Sequence, residues 1–174
     1  GKDCLNKFRG MFAFAIWDTH TQTLFAARDQ MGIKPFYWFS DKDTFAFSSE
    51  IKGLLESNLM PRVINKQALS QYLSYQSIHS PLTMNQAVYS LRPGHYLEYK
   101  IGELTINPYW DIASIKEDKS LDNLEDIQAR VRETLLEAVK LQMRSDVSVG
   151  AFLSGGLDSS TIVGLMSSLT DKPI

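Results

Sequence analysis

The chain has 174 residues, of which 44% are hydrophobic and 22% are charged, and its net charge is −2 with a pI near 5.9. This composition is ordinary for a soluble globular protein, and the slight negative charge disfavours nucleic acid and anionic membranes as partners. One cysteine allows no internal disulfide, and no apolar run approaches the roughly 18 residues of a membrane span, so a cytoplasmic location is expected.

Both ends of the sequence suggest a piece of a longer protein. The first residue is Gly1 rather than Met, and residues 171–174 have the character of a strand that follows a helix. A parallel sheet needs more than one strand. We therefore expect further chain on both sides and no complete activity from these 174 residues alone.

The first half predicts an α+β fold built on antiparallel strands. Closely spaced apolar segments at 11–18, 23–27, 35–39 and 44–47 predict a meander. Helices are expected at 49–56 and at 65–73, where Asn65 is a good N-cap. A strand pair at 88–99 is interrupted at 92–94, and Gly102 is expected to turn the chain back onto 104–106. Alternating apolar residues of these strands are expected in the core, namely Phe12, Phe14, Ile16, Phe45 and Phe47.

A change of character at 107–120, with a proline and a charged run, indicates a linker between domains. After the linker, apolar residues recur every three or four positions from Leu121 to Val139, which predicts an amphipathic helix of about six turns. We expect this helix to pack on a sheet that begins at Val147. The predicted organisation is one domain at 1–106, the linker at 107–120 and a second domain at 121–174.

Residues 147–160 read VSVGAFLSGGLDSS and predict a strand buried on both faces, a small-residue loop and a helix over 161–169. Glycines let backbone amides approach an anion, and the helix N-terminus completes the anion site. Asp158 fits such a site when a cation accompanies the anion, and the Walker pattern with its lysine is absent. The pattern favours a polyphosphate with magnesium over a simple helix cap, in which one serine or the aspartate satisfies the first amides.

The loop SGGLDSS resembles the PP-loop of the ATP pyrophosphatases, which cleave ATP between its α and β phosphates. Four segments of the first half carry a second resemblance: RGMFAFAIWD at 9–18, RD at 28–29, GIKPFY at 32–37 and SSEIK at 48–52. In this order and spacing they are similar to the glutaminase domain of glutamine-hydrolysing asparagine synthetases. Residues 145–160 resemble the same family, so the resemblance covers nearly the whole chain.

This resemblance implies the C-terminal part of a class II glutamine amidotransferase domain, followed by the start of an α/β PP-loop domain of the adenine nucleotide alpha hydrolase type. It implies a carbon–nitrogen ligase that uses ATP, Mg²⁺, glutamine and aspartate, with a homodimer as a further expectation. Ammonia from glutamine would displace AMP from β-aspartyl-AMP to give asparagine. The ATP and pyrophosphate site carried over from the family comprises Leu153, whose backbone would lie near the adenine, with Ser154, Gly155, Gly156, Asp158, Ser159 and Ser160, and Asp158 would also help to place the metal.

The resemblance places no catalytic glutaminase residue in this chain. The family's nucleophile is a cysteine at the mature N-terminus, whereas Cys4 is internal and is followed by Leu-Asn-Lys rather than Gly-Ile. We expect Cys4 to be a half-buried cysteine at a helix end. Structural roles are expected for Arg28, Asp29 and Glu50, and the alternative for the first two is a surface ion cluster with Lys34. The nucleophile and the residues that select aspartate are expected outside the 174 residues.

Two alternatives to asparagine synthesis stay open. One is a relative with the same architecture and another acceptor, such as a β-lactam synthetase, for which the insert-like stretch 72–85 gives room. The other is a non-catalytic homologue that binds nucleotide only, although such a protein does not need Asp158 and all three serines. The three histidines, His20, His79 and His95, match neither a hydrolase triad nor a zinc-ligand spacing.

Overall fold

The structure is a computed structural model that describes residues 1–117 and 123–171. The chain divides into two compact units, Gly1–Ile115 and Lys116–Ile174. The first unit contains short 3-10 helices at Lys2–Lys7 and Ile112–Ser114. Its other elements in chain order are β1 (Ala13–Asp18), β2 (Thr23–Arg28), β3 (Tyr37–Ser40), β4 (Phe45–Ser48), α1 (Ile51–Glu56), α2 (Lys66–Tyr75), β5 (Tyr89–Ser90), β6 (His95–Lys100) and β7 (Glu103–Pro108).

The strands of the first unit form two antiparallel sheets, which confirms the predicted α+β class for this unit. One sheet has the order β1-β2-β6-β7 and the other has the order β4-β3-β5. The prediction of one continuous meander was wrong, because β2 pairs with β6 rather than with β3. The predicted strand pair at 88–99 is also divided, since β5 joins the small sheet and β6 joins the large one.

Turn and cap chemistry places several of these elements where the sequence predicts them. Asn65 caps α2 by accepting hydrogen bonds from the backbone N–H groups of Gln67 at 3.0 Å and Ala68 at 3.1 Å. The β6–β7 hairpin turns through Ile101 and Gly102, whose φ values are +49° and +80°. Two successive left-handed residues are typical of the tight turns that suit antiparallel strands. The expected roles of Asn65 and Gly102 are thus confirmed.

The core of the first unit lies on and between the two sheets. Its fully buried residues include Leu5, Ala26, Ala27, Leu91 and Leu97. Of the five alternating residues predicted for the core, Phe12, Phe14 and Phe45 pack against buried clusters, whereas Ile16 and Phe47 are exposed by 56% and 44%. Strands β1 and β4 lie at sheet edges, where a side chain has fewer neighbours to cover it, so the prediction was wrong for Ile16 and Phe47.

The first unit extends beyond the point at which the sequence places the linker. Strand β7 runs to Pro108, and Asn107 lies opposite Tyr96 of β6. The next residue, Tyr109, donates its phenolic hydrogen bond to the carbonyl oxygen of Arg28 at 2.8 Å. These contacts attach 107–109 to the large sheet, and the later linker residues 118–120 lie outside the described residues.

The second unit contains two helices, α3 (Leu124–Gln142) and α4 (Leu157–Leu169). Asn123 caps α3 by accepting a hydrogen bond from the N–H of Asp126 at 2.8 Å. The predicted amphipathic helix is confirmed over 124–142, and the predicted position Leu121 lies outside the described residues. Helix α3 contacts α4, and apolar residues of α3 also line a cleft of about 510 Å³ together with residues of α4. Helix α3 therefore packs against a helix rather than the expected sheet.

The predicted buried strand at 147–153 is wrong for the described structure. These residues form no strand, and Val147, Phe152 and Leu153 are exposed by 76%, 101% and 61%. A parallel strand needs a neighbour to receive its backbone hydrogen bonds, and no described residue of the second unit supplies one. The predicted helix that follows is present, but it begins at Leu157 and so includes the second half of the SGGLDSS motif.

Candidate functional site

The motif residues 154–160 form a turn that leads directly into α4. Gly156 is the N-cap of the helix, and Gly155 before it has a φ of +83°. That conformation is one that residues with a Cβ atom rarely adopt, although a Cβ built on Gly155 would meet nothing within 4 Å. The need for glycine at 155 therefore comes from the backbone turn and not from crowding within the described chain.

Within residues 1–117 and 123–171, no side chain accepts a hydrogen bond from the first amides of α4. The N-cap residue is Gly156, and the hydroxyls of Ser154 and Ser159 bond to each other and to the Gly156 carbonyl oxygen, so the alternative in which a serine or Asp158 simply caps α4 is wrong. The first amides of an α-helix have no partner within the helix and need an acceptor from elsewhere. Asp158 lies in the first turn, where its charge also complements the positive end of the helix dipole.

The serine hydroxyls of the motif form a small chain of hydrogen bonds. The Oγ atoms of Ser154 and Ser159 are 2.9 Å apart, and Ser159 Oγ donates to the carbonyl oxygen of Gly156 at 3.2 Å. Because Ser159 has one hydroxyl proton and uses it for Gly156, the proton between the two serines comes from Ser154. Rotation of either hydroxyl frees a donor for an anion at the helix N-terminus.

The seven predicted binding residues are neighbours in the sequence, and all of them except the partly buried Ser159 are exposed to solvent. The backbone of Leu153 enters the turn, and its side chain is 61% exposed. Ser160 lies in the first turn of α4 and donates its N–H to the carbonyl oxygen of Gly156 at 3.1 Å. Among the described residues no group of three or more His, Cys, Asp or Glu is placed to hold a metal ion. A single carboxylate at Asp158 fits a magnesium ion that arrives with phosphate oxygens, since Mg²⁺ commonly uses one or two protein carboxylates.

A second loop, at the end of β2, is organised around a buried carboxylate. The side chain of Asp29 is only 2% exposed and accepts four backbone hydrogen bonds of 2.9 to 3.3 Å, from the N–H groups of Phe12, Met31, Ile33 and Lys34. Burial raises the pKa of this carboxyl, but the four backbone hydrogen bonds together outweigh burial, and the net pKa lies below its ordinary value. Each oxygen of the Asp29 carboxylate thus accepts two backbone hydrogen bonds from the protein itself.

The Arg28 guanidinium also donates its hydrogen bonds to groups of the first unit. Its Nε donates to the carbonyl oxygen of Lys34 at 2.7 Å, and its Nη2 donates to that of Gly32 at 2.6 Å. Its Nη1 donates to Ser90 Oγ at 2.8 Å and to the carbonyl oxygen of Leu91 at 2.7 Å. The alternative of a surface ion cluster is therefore wrong for Arg28 and Asp29, and the expected structural role is what their contacts show.

The hydroxyl of Tyr109 lies at the back of the same loop. Burial and the negative charge of Asp29 raise the pKa of Tyr109 to about 12, and the neutral hydroxyl donates to the Arg28 carbonyl. Glu50, the remaining residue expected to be structural, lies at the N-cap position of α1, and its N–H donates to Ser48 Oγ at 3.2 Å. The Tyr109 contact supports the fold of the loop, and Glu50 is placed by its backbone at the start of α1.

Cys4 lies in the first 3-10 helix and packs beside buried Leu5. It is a partly buried free thiol, as expected, and its backbone N–H donates to the carbonyl oxygen of Gly1 at 3.2 Å.

Among the described residues no helix has the length and apolar content needed to cross a membrane.

Comparison with known proteins gives two family matches, one within each compact unit of the chain. A family model for the glutamine amidotransferase domain matches residues 1–110, which is most of the chain. The chain belongs to this family. A second model, for asparagine synthase, matches residues 130–174 and includes the whole SGGLDSS motif of the second unit.

Relatives of known name match both parts of the chain at once. Glutamine-hydrolyzing asparagine synthetase 3 of Bacillus subtilis (strain 168) is 37% identical over 172 residues, which is 98% of this chain and 28% of that protein. Glutamine-hydrolyzing asparagine synthetase 1 of the same strain is 38% identical over 169 residues, 94% of this chain and 26% of that protein. Amidase chry2 of Gibberella zeae is 38% identical over 171 residues, 97% of this chain and 25% of that protein. The resemblance to the asparagine synthetase family is confirmed, and the chain spans 25% to 28% of the length of these three relatives.

Proposed function

We propose that this chain acts within a glutamine-dependent asparagine synthetase. In the proposed reaction ATP adenylates the side-chain carboxylate of aspartate, with release of pyrophosphate. Ammonia from glutamine then displaces AMP from the β-aspartyl-AMP intermediate, which gives asparagine, glutamate and AMP. The observation that carries the proposal is the uncapped helix N-terminus at Gly156, inside the segment that matches the asparagine synthase model.

The loop at 154–160 would bind the pyrophosphate part of ATP. The free amides of the first turn of α4 would donate to phosphate oxygens, and the positive end of the helix dipole would favour their charge. Ser154, Ser159 and Ser160 would add hydroxyl donors after rotation of the Ser154–Ser159 pair. Bound magnesium would neutralise charge on the phosphates, and Asp158 would help to hold it. The loop would therefore accelerate adenylation by positioning and by charge stabilisation, without covalent chemistry.

The first unit would belong to the part that supplies ammonia. It is matched by the glutamine amidotransferase model, and relatives named as glutamine-hydrolyzing cover both units of the chain. Its single cysteine is partly buried and packs within the fold beside Leu5. We therefore assign glutamine hydrolysis to groups outside these 174 residues and the PP-loop to the chain itself.

The proposal is tested with the full-length protein that contains this chain. It is incubated with ATP, Mg²⁺ and glutamine, with and without aspartate, and the amino acids, AMP and pyrophosphate are quantified. Asparagine with equal amounts of AMP and pyrophosphate is the expected result. AMP that forms at the same rate without aspartate would reject aspartate as the acceptor.

A second candidate is the same ligase chemistry on another acceptor. Two relatives of similar identity carry the names amidase chry2 and amidase chyE, at 38% and 36%. In this case glutamate is released, but AMP appears only when a different carboxylic acid is supplied. A third outcome, ATP binding without any AMP, would favour a homologue that binds nucleotide without turnover.

A further inference from the structure

Thr161, in the second turn of α4, makes a hydrogen bond that the proposed function does not use. Its Oγ1 donates to the carbonyl oxygen of Leu157 at 2.8 Å. In an α-helix the same oxygen is also the acceptor for the backbone N–H of the residue four positions later. The Leu157 carbonyl oxygen therefore accepts from both the backbone and the hydroxyl of Thr161.

The carbonyl oxygen of Leu157 and the N–H of Asp158 belong to one peptide group. In an α-helix the C=O bonds point toward the C-terminus and the N–H bonds toward the N-terminus, so the two ends of this peptide face opposite ways. In the described parts of the chain, no group accepts a hydrogen bond from the Asp158 N–H. It is one of the free amides that the proposed function assigns to phosphate oxygens.

The preceding peptide has the same arrangement, with a different hydroxyl. The carbonyl oxygen of Gly156 accepts from the N–H of Ser160 at 3.1 Å and from Ser159 Oγ at 3.2 Å, and the N–H of this peptide is that of Leu157. Ser159 lies at the loop and is itself expected to turn toward phosphate, which breaks its bond to Gly156. Thr161 lies about 6 Å further along the helix axis than Leu157, so its hydroxyl stays behind the first turn.

A hydroxyl that donates to the carbonyl end of a peptide strengthens the donor at the other end. The bond draws electron density toward the oxygen, and hydrogen bonds joined in a chain in this way reinforce one another. It also fixes the plane of the peptide and hence the direction of its N–H. The gain is largest when the acceptor is charged, as phosphate oxygens are. For the helix itself such a bond is slightly destabilising, so helix stability does not account for it.

We propose that Thr161 is a positioning residue for the pyrophosphate part of ATP. It acts through the Leu157–Asp158 peptide, whose N–H it orients and strengthens toward the phosphate oxygens, and it does not contact the nucleotide. This role rests on the proposed binding of pyrophosphate at the loop 154–160, but not on aspartate as the acceptor. Negative charge on pyrophosphate grows as it leaves, so the effect is larger on kcat than on KM for ATP.

Three variants of the full-length protein that contains this chain test the role. Thr161→Val removes the hydroxyl and keeps the branched shape, whereas Thr161→Ser keeps the hydroxyl. Thr134→Val on α3 is the matched control, because Thr134 Oγ1 donates to the carbonyl oxygen of Arg130 at 2.8 Å, also four residues back in a helix. Valine and threonine have similar helix propensities, so the valine variants should melt close to the wild type.

The affinity for inorganic pyrophosphate with Mg²⁺ is measured by calorimetry, and pyrophosphate formation from ATP, glutamine and aspartate gives kcat and KM. Thr161→Val is expected to raise the Kd of pyrophosphate and to lower kcat, each by about threefold, with KM for ATP unchanged. Thr161→Ser and Thr134→Val should match the wild type. An equal loss in Thr134→Val would reveal a general effect on helices and would overturn the role of Thr161.

The two measurements separate the role of Thr161 from asparagine synthesis. Asparagine formation at the wild-type rate in Thr161→Val, with unchanged pyrophosphate affinity, overturns the role and leaves the proposed function standing. Weaker pyrophosphate binding in Thr161→Val, in a protein that forms no asparagine, supports the role and rejects aspartate as the acceptor. A wild-type protein that does not bind pyrophosphate overturns both the role and the assignment of the loop.

Discussion

The loop at 29–34 and the loop at 154–160 differ in whether a side chain of the protein accepts hydrogen bonds from their backbone amides. In the first loop, one buried aspartate accepts four backbone hydrogen bonds and the neighbouring arginine donates to three carbonyl oxygens. In the second loop, the aspartate lies on an exposed first turn, and no side chain in the described part of the protein caps the helix. The comparison shows that an aspartate in a loop has a structural role where its oxygens are already used by the chain. An uncapped helix N-terminus instead leaves donors for a ligand.

The largest effect is expected from removing the carboxylate of Asp29. The Asp29→Ala variant leaves four amide donors without their acceptor in a buried loop, so the free energy of unfolding of the first unit should fall by about 3 kcal/mol. Asp158→Ala should leave the same quantity unchanged. Urea unfolding followed by tryptophan fluorescence measures both variants. Equal stability of the two would contradict the contrast between the loops.

A smaller effect, with a defined dependence on pH, is expected for Asp29→Asn. In either orientation the amide turns its NH₂ group toward two of the four backbone donors, which should cost about 2 kcal/mol near neutral pH. The folded pKa of Asp29 lies below its ordinary value. Its stabilisation is therefore complete above the unfolded pKa of about 3.9 and is lost as the pH falls through the folded pKa.

The wild type and the Asp29→Asn variant also test the predicted direction of the pH dependence. Urea midpoints are measured for the wild type and for Asp29→Asn at about pH 7 and about pH 3. The difference between the two proteins should shrink at the lower pH, because the wild-type carboxyl then begins to take up a proton. A difference that grows on acidification would mean that the folded pKa is raised rather than lowered.

The smallest effect separates the two glycines of the second loop. Gly155 has a φ of +83°, so Gly155→Ala should strain the turn by about 1 kcal/mol. Gly156 has a φ of −79°, and a Cβ there would make only ordinary contacts of 3.6 and 4.0 Å with the serine hydroxyls. Amide hydrogen exchange of α4 should therefore speed up by about fivefold in Gly155→Ala and stay unchanged in Gly156→Ala. Faster exchange in Gly156→Ala than in Gly155→Ala would contradict the assignment of the backbone strain to position 155.

Local chemistry made the helices and turns predictable from the sequence. Asn65 and Gly102 act through neighbouring residues, so their roles as cap and turn were readable from a few positions. The amphipathic period also located α3 correctly. Sheet pairing was harder to predict from the sequence, because β2 pairs with β6, a strand about 70 residues away. Turn signals between neighbouring strands carry no information about such a distant partner.

The candidate site was predictable as a motif but not in its surroundings. The glycine turn and the helix that begins at Leu157 follow from the residues themselves. The strand expected at 147–153 depends on neighbouring strands, which no described residue of the second unit provides. The buried hydrogen bond between Asp29 and Phe12 joins two segments that meet only in the folded unit, so no local sequence pattern predicts it.

The most direct test of the central claim is a split between two activities of the full-length protein that contains this chain. Asp158→Asn keeps the size of the side chain and removes the charge that would help to hold magnesium at the loop, and Glu125→Gln on α3 is the matched control. Aspartate-dependent pyrophosphate formation and glutamine hydrolysis are measured side by side in both variants. We predict that Asp158→Asn loses pyrophosphate formation and keeps glutamine hydrolysis, while Glu125→Gln keeps both. Equal loss of the two activities in Asp158→Asn, or normal pyrophosphate formation, would contradict the assignment of the loop.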